Sequence, residues 1–306
     1  MSNKNFTFMA FAAGQESKEA TVFPRYTGVG SVNVIAINPN KEALNEFFKI
    51  NVETEPVYIG TQEVDGKPVQ FARIDFVLQT VPEANNGIDM KTRMSLFIRN
   101  QYRHDRNKTK IQVIDKYGRT AWVTKEDYES KNIPTYSNGT KANIDADYRA
   151  CYVGEEELTN FYRAFLNIPN PMIYKNNQWV PAENIEECQA RFDNIANLFK
   201  GDFSELINAW KYQQNNKVKV LFGVRTTNDG KQYQTFYTRM FLRNSANSYD
   251  RLEQNVKSTK EAGGLPTSEF LIAPLQEYVV NSTPLENSQP TGDNPFGKPE
   301  DNPFFK

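Results

Sequence analysis

EPVYIGTQEVDGKPVQFARIDFVLQT, residues 55–80, decides the fold class. Its flanks are rich in Val, Ile, Tyr, Phe and Thr, with Asp65-Gly66 between them. That pattern predicts two antiparallel strands joined by a tight turn. KTRMSLFIRN (91–100) reads as a further strand, and TKIQVIDKYGRTAWVTK (109–125) as a second hairpin turning at Asp115–Gly118. KVKVLFGVRTTNDGKQYQTFYTRMFLRN (217–244) reads as a long hairpin around Asn228-Asp229-Gly230. SEFLIAPLQEYVV (268–280) is an extended apolar segment.

Helical spacing occupies the middle of the chain. Leu158, Phe161, Tyr162, Phe165 and Leu166 follow the 3.6-residue period up to Pro169, and Ile185, Cys188, Phe192, Ile195 and Phe199 repeat it behind Asn184. Ser204 starts another helix with Leu206 and Trp210 on one face. An early helix is predicted over roughly Asn40–Lys49 behind an Asn cap, and a late one over Ser248–Ala262, stopped by Gly263-Gly264. These apolar stripes read as core. The expectation is an α+β chain: an antiparallel barrel of five or six strands over residues 1–280, with a helical insertion at about 154–213. From Asn281 onward Pro, Asn, Ser and Gly dominate, which predicts a disordered tail over 281–306.

Composition narrows the function. The chain has 306 residues, net charge −1, 39% apolar and 24% charged residues, and 13% aromatics with 21 Phe and 15 Tyr. No global basic excess advertises nucleic acid, so any such partner must rest on local patches. Two cysteines, Cys151 and Cys188, and one histidine, His104, lack metal-ligand spacing and read as packed, reduced thiols in a cytoplasmic protein. FTFMAFAAG (6–14) is too short to span a bilayer and reads as an N-terminal strand or arm. No G-x-x-x-x-G-K-[ST] is present, Gly28-Val29-Gly30 is a lone turn-like pair, and with one histidine no catalytic constellation forms. The expectation is a protein without cofactor or catalysis, with a nucleic-acid processing enzyme a distant alternative.

Strand parity supplies a stronger signal. In 91–100, Met94, Leu96 and Ile98 read as core, leaving Lys91, Arg93, Phe97 and Arg99 opposite. In 217–225 the core set is Val218, Val220, Phe222 and Val224, with Lys217, Lys219 and Arg225 opposite. In 232–243, Phe236, Met240 and Leu242 read as buried, with Tyr233, Thr235, Tyr237, Arg239, Phe241 and Arg243 on the other face. Charge concentrates in the same region. Residues 91–125 hold ten Lys or Arg against Asp105 and Asp115, with Tyr102, Tyr117 and Trp122 interleaved among Arg103, Arg106, Lys108, Lys110 and Arg119. Exposed aromatics that stack bases, flanked by cations that follow phosphates, are what single-stranded nucleic acid needs. Duplex binders have little use for exposed aromatics. The alternative is that the second face packs under the helical insertion.

The last residues, GDNPFGKPEDNPFFK (292–306), carry DNPF twice. Each Phe stands behind an acid and a turn-setting proline, a form suited to a basic-rimmed hydrophobic pocket on a partner, and two copies raise effective concentration. Asp293, Pro295, Phe296, Asp301, Pro303, Phe304 and Phe305 are the candidate partner-binding residues. The stretch resembles the acidic Asp-x-Pro-Phe tip of bacterial single-stranded DNA-binding proteins, although it continues to Lys306 where that tip ends on Pro-Phe. The layout is similar to single-stranded DNA-binding proteins of large tailed bacteriophages, including the crAss-like group. The resemblance implies an elaborated OB-fold-like antiparallel β-barrel that coats single-stranded DNA in replication and recombination, and a tail that recruits replication and repair proteins. DNA is expected along the strand face, with 102–125 as a basic flap, no membrane partner, and homo-oligomerisation left open. The alternative is a phage virion or scaffold protein whose aromatic faces are subunit interfaces.

Overall fold

The computed structural model describes residues 24–263 and 268–278, and within them the chain is α+β. β1 (Tyr26–Ile37) leads to α1 (Lys41–Phe48), whose first turn is capped by the Asn40 carboxamide accepting from the Ala43 N–H at 3.0 Å. β2 (Ile59–Val64) and β3 (Lys67–Thr80) meet at Asp65 and Gly66, with φ of 50° and 72°. Both angles are left-handed, as a two-residue I′ hairpin requires. β4 (Lys91–Tyr102) follows, then the second predicted hairpin, β5 (Lys110–Ile114) and β6 (Thr120–Thr124), and α2 (Lys125–Ser130). Two short strands, β7 (Arg149–Ala150) and β8 (Tyr152–Val153), precede α3 (Glu155–Phe165). The remaining elements are β9 (Met172–Lys175), β10 (Gln178–Pro181), α4 (Ser204–Tyr212), β11 (Lys217–Thr226), β12 (Gln232–Phe236), β13 (Leu242–Arg243), α5 (Asp250–Glu261), β14 (Ser268–Phe270) and β15 (Gln276–Glu277).

The main sheet runs β12-β11-β1-β3-β4-β8, with β2 beside β3, β13 and β14 along β11, and β15 on β1. Its ladders are antiparallel, and it curls strongly into a half-barrel. β3 is long enough to serve two neighbours on one edge. Its first half pairs with β2 and its second with β1, whose register shifts between Val34 and Ala36. A smaller sheet, β6-β5-β7, has its own apolar cluster built on Val113, Ala121, Val123 and Tyr148.

The parity reading of the core holds in β4 and β11. Met94, Leu96, Ile98, Val218, Val220, Phe222 and Val224 are all buried. Facing them from α3 are Phe161, Tyr162 and Phe165, with the Phe76 and Phe161 ring centroids 4.4 Å apart. Each such ring contributes about 1.5–3 kcal/mol by leaving water. Gly154, at φ 88°, lets the start of α3 lie against the backbone of Phe97, where a side chain would clash. Glu155 is buried and takes two bonds from Arg149 of β7, whose Nη2 also donates to the Phe192 carbonyl at 3.0 Å, so the insertion is tied at its root to the smaller sheet.

Two expectations are corrected. The insertion is less helical than predicted: 185–200 forms two short 3-10 turns, Ile185–Cys188 and Ile195–Lys200, with irregular backbone between. There the Ala190 N–H is drawn to the Lys116 carbonyl at 3.1 Å, so the apolar period records burial and not a continuous helix. The hairpin β9–β10 within it was missed, although Asn176-Asn177, both with left-handed φ, is a I′ signal. The second correction lies at 237–241, where the strand predicted over 217–244 breaks after Phe236 and resumes at Leu242. Phe241 then enters the main core and packs edge-on to Phe161 at 5.1 Å, while Tyr237, Met240 and Leu242 turn to the opposite side. An interruption of this kind exchanges the faces of everything beyond it. The predicted tail lies outside the described residues, and no helix among the described residues is long and apolar enough to cross a membrane.

Candidate nucleic-acid interface

β3 and β4 share an unbroken ladder from Phe71↔Arg99 to Gln79↔Lys91. Even positions of both strands face the core. The odd ones therefore present cross-strand pairs on the outer face: Phe71 with Arg99, Arg73 with Phe97, Asp75 with Ser95, Val77 with Arg93, and Gln79 with Lys91. Phe97 is 47% exposed, and its ring centroid lies 6.1 Å from that of Phe71. The exposed Phe97 and the half-buried Phe71 thus lie on the same face as Arg73, the cross-strand partner of Phe97.

Asp75 organises the cations around it. Its carboxylate is fully buried, accepts from the Ser95 hydroxyl at 2.7 Å, and pairs with Arg73 at 3.2 Å and Arg93 at 3.5 Å. One acid between two guanidiniums leaves net positive charge, and both arginines keep a solvent-facing fraction. Burial lowers the Arg93 pKa while Asp75 opposes the shift, and the guanidinium stays charged at any ordinary pH. The Tyr58 ring packs 5.3 Å from the Arg73 guanidinium, and its hydroxyl is held protonated by burial and by Asp75. At the far end of the ladder Lys91 is exposed and lies 5.9 Å over the Phe47 ring of α1. Val77, between the two ends, is buried.

The other predicted residues do not share this face. Arg99 is buried, and burial lowers its pKa. In the basic run 91–125 several cations meet acids, some brought from elsewhere in the fold and some local. Arg103 pairs with Glu156 at 3.0 Å, Lys108 with Asp65 at 3.1 Å, Lys116 with Glu186 at 3.7 Å, and Arg119 with the buried Asp115 at 2.7 Å. Arg106 and Lys110 are exposed, with no ion pair among the described residues. Tyr102 is exposed and packs at a tilt against Tyr152, ring centroids 5.0 Å apart. Tyr117 is buried between Lys116 and Arg119, and Trp122 is half-buried on the side of β6 away from Ala121 and Val123. A flap of open positive charge is therefore replaced by a largely neutralised hairpin.

The β11–β12 end of the outer face is covered by α5, not by the insertion. Val29, Leu221, Tyr237, Leu252 and Val256 form a second core there. The Tyr237 hydroxyl bonds Asn255 and Thr259, and Lys219 donates to the Ala246 carbonyl beneath the Tyr249 ring. Arg225 and Tyr233, opposite one another on the ladder, are half-buried. Arg243 is drawn to the Ile168 carbonyl in the loop after α3, Phe241 is in the main core, and Arg239 is exposed at the strand break. Lys217, at the start of β11, is half-buried near the open part of the sheet. Of the predicted set, the ladder assembles Lys91, Arg93 and Phe97 on one outward surface.

Sequence reading missed Phe71, Arg73 and Asp75, although the same parity applied to 67–80 places all three opposite Ala72, Ile74 and Phe76. The tail candidates, Asp293, Pro295, Phe296, Asp301, Pro303, Phe304 and Phe305, lie outside the described residues. Among the described residues no group of three His, Cys, Asp or Glu side chains is placed to hold a metal, and Cys151 and Cys188 are buried free thiols. Comparison with protein-family models, curated proteins and solved structures found no match.

Proposed function

We propose that the protein binds single-stranded DNA on the outer face of β3 and β4, as a non-catalytic coating protein of phage type. The observation that carries this reading is the exposed Phe97, beside the half-buried Phe71 and opposite Arg73, with Arg93 and Lys91 farther along the same ladder. An aromatic left in water beside a guanidinium suits an unstacked base and its phosphate, with stacking worth about 1–3 kcal/mol per base. The curled antiparallel sheet is read as an elaborated OB-type barrel with α3, α4 and the connecting 3-10 turns as its insertion. The duplicated DNPF at 293–304 supplies a hook for replication and repair proteins.

Fluorescence anisotropy with labelled oligo(dT) and a duplex of equal length tests the binding. Single strands are expected to bind more tightly, with affinity falling as salt rises. Equal affinity for duplex, or no binding at low salt, overturns the reading. For the tail, the double substitution Phe296→Ala/Phe304→Ala is expected to abolish capture of replication enzymes while leaving oligo(dT) binding in place. Unchanged capture counts against the hook.

A further inference from the structure

The outward row of the ladder does not end at β3. Register carries it across four strands: Lys91 lies opposite Gln79, Gln79 opposite Asn33, and Asn33 opposite Lys217. The row ends in a groove of about 560 Å³ lined by Asn33, Ile35, Trp210, Gln214, Asn215 and Lys217. Its origin is topological. β11 begins at Lys217, opposite Asn33, whereas β1 continues to Ile37, so past Asn33 one edge of β1 has no strand beside it among the described residues. The end of α4 closes part of that edge: the Trp210 indole N–H donates to the Val34 carbonyl at 2.9 Å, which fixes the ring at the groove wall.

The lining is chemically selective. Three carboxamides each offer donors and an acceptor, the pattern needed to meet the edge of a nucleobase. The indole is a flat face for stacking, and Lys217 is a cation for the adjoining phosphate. None of the lining residues is an acid. A carboxylate does touch the row leading to the groove: Asp89 accepts from the Gln79 carboxamide at 3.3 Å.

We propose that this groove is a second base-binding subsite, taking one unstacked nucleobase of a strand that runs from Phe97 along β4 and then across Lys91, Gln79 and Asn33 to Lys217. The inference rests on the reading of the β3–β4 face as a DNA-binding surface. Phe97 lies six residues from Lys91, about 20 Å of strand, and three strand spacings add about 14 Å. An oligonucleotide of about four residues therefore reaches the Phe97 end alone, and one of about ten reaches both ends.

Photocrosslinking of the full chain to 5-iodouracil-substituted oligo(dT) of those two lengths, with tryptic mapping, tests the path. The longer oligonucleotide is expected to mark the peptide spanning 201–211, which carries Trp210, as well as that spanning 94–99, which carries Phe97. The shorter is expected to mark the 94–99 peptide preferentially. Lys217→Ala, which spares the indole, is expected to weaken the longer ligand about three- to tenfold and the shorter less than twofold, and Asp89→Asn to tighten the longer one. Crosslinks confined to 94–99, with Lys217→Ala neutral at both lengths, overturn the groove and leave the face standing. Absence of any crosslink or binding at low salt overturns both.

Discussion

Arg73 and Phe97 stand opposite each other across the β3–β4 ladder, both pointing away from the core. Cross-strand partners on one face approach closely enough to act together. Asp75 holds Arg73 from one side and the Tyr58 ring supports it from another, so the cation beside Phe97 is positioned before any ligand arrives. Phe97→Ala is expected to weaken oligo(dT) binding by about 1–3 kcal/mol, read by anisotropy. Because the ring is nearly half exposed, the unfolding midpoint should move little. A variant that unfolds instead shows that the ring supports the sheet.

Asp75 is the residue on this face whose loss should be felt in stability. Its buried carboxylate separates Arg73 and Arg93 and accepts from Ser95. Asp75→Ala leaves two guanidiniums facing each other without their shared counter-charge and is expected to cost about 3 kcal/mol in urea unfolding. Stability within a few tenths of the parent would mean that solvent already screens the pair.

Tyr237 provides the converse test. Parity along 232–243 placed it with the DNA-binding residues, but the strand break and α5 bury it to 2% exposure. Tyr237→Phe removes hydrogen bonds to Asn255 and Thr259 and is expected to cost about 1 kcal/mol of stability with oligo(dT) affinity unchanged. A selective loss of affinity would reopen the β11–β12 face.

The hairpins were legible because their turns need residues that tolerate left-handed φ, and Asp65-Gly66 announced one directly. The inward faces of β4 and β11 were legible because a period of two is local to the strand. What covers the opposite face is not local. α5 reaches β11 from beyond a strand break, and the parity exchange at 237–241 depends on a turn at Thr238-Arg239 that carries neither Gly nor Pro. The Phe71–Phe97 pair needed the register between two strands, which each strand alone leaves open.

Cys151 is expected to resist modification. Burial pushes its thiol well above the usual range, and the neighbouring Glu155, Glu156 and Glu157 push it further, so the reactive thiolate is scarce at pH 8. Raising pH adds thiolate only where it approaches that elevated value. Iodoacetamide should therefore label Cys151 in denaturant and spare it in the native protein. Rapid native labelling at pH 8 would show that the β7–β8 junction opens.

Salt dependence separates the open face from the basic run. If all ten cations of 91–125 met phosphates, the slope of log K against log salt would approach about −7, at roughly −0.7 per contact for single strands. In the structure Arg103, Lys108, Lys116 and Arg119 already face Glu156, Asp65, Glu186 and Asp115. Breaking those pairs to reach DNA would exchange one anion for another with little net release of counterions. The cations that border the proposed path are Lys91, Lys217 and the Arg73–Arg93 pair, one of whose two charges Asp75 already meets, which predicts a slope of about −2. A measured slope near −7 would show that the ion pairs of the hairpin yield to DNA and that the 102–125 segment acts as a flap after all. A slope near −2 that shrinks by about 0.7 in Lys91→Ala assigns one phosphate contact to that lysine.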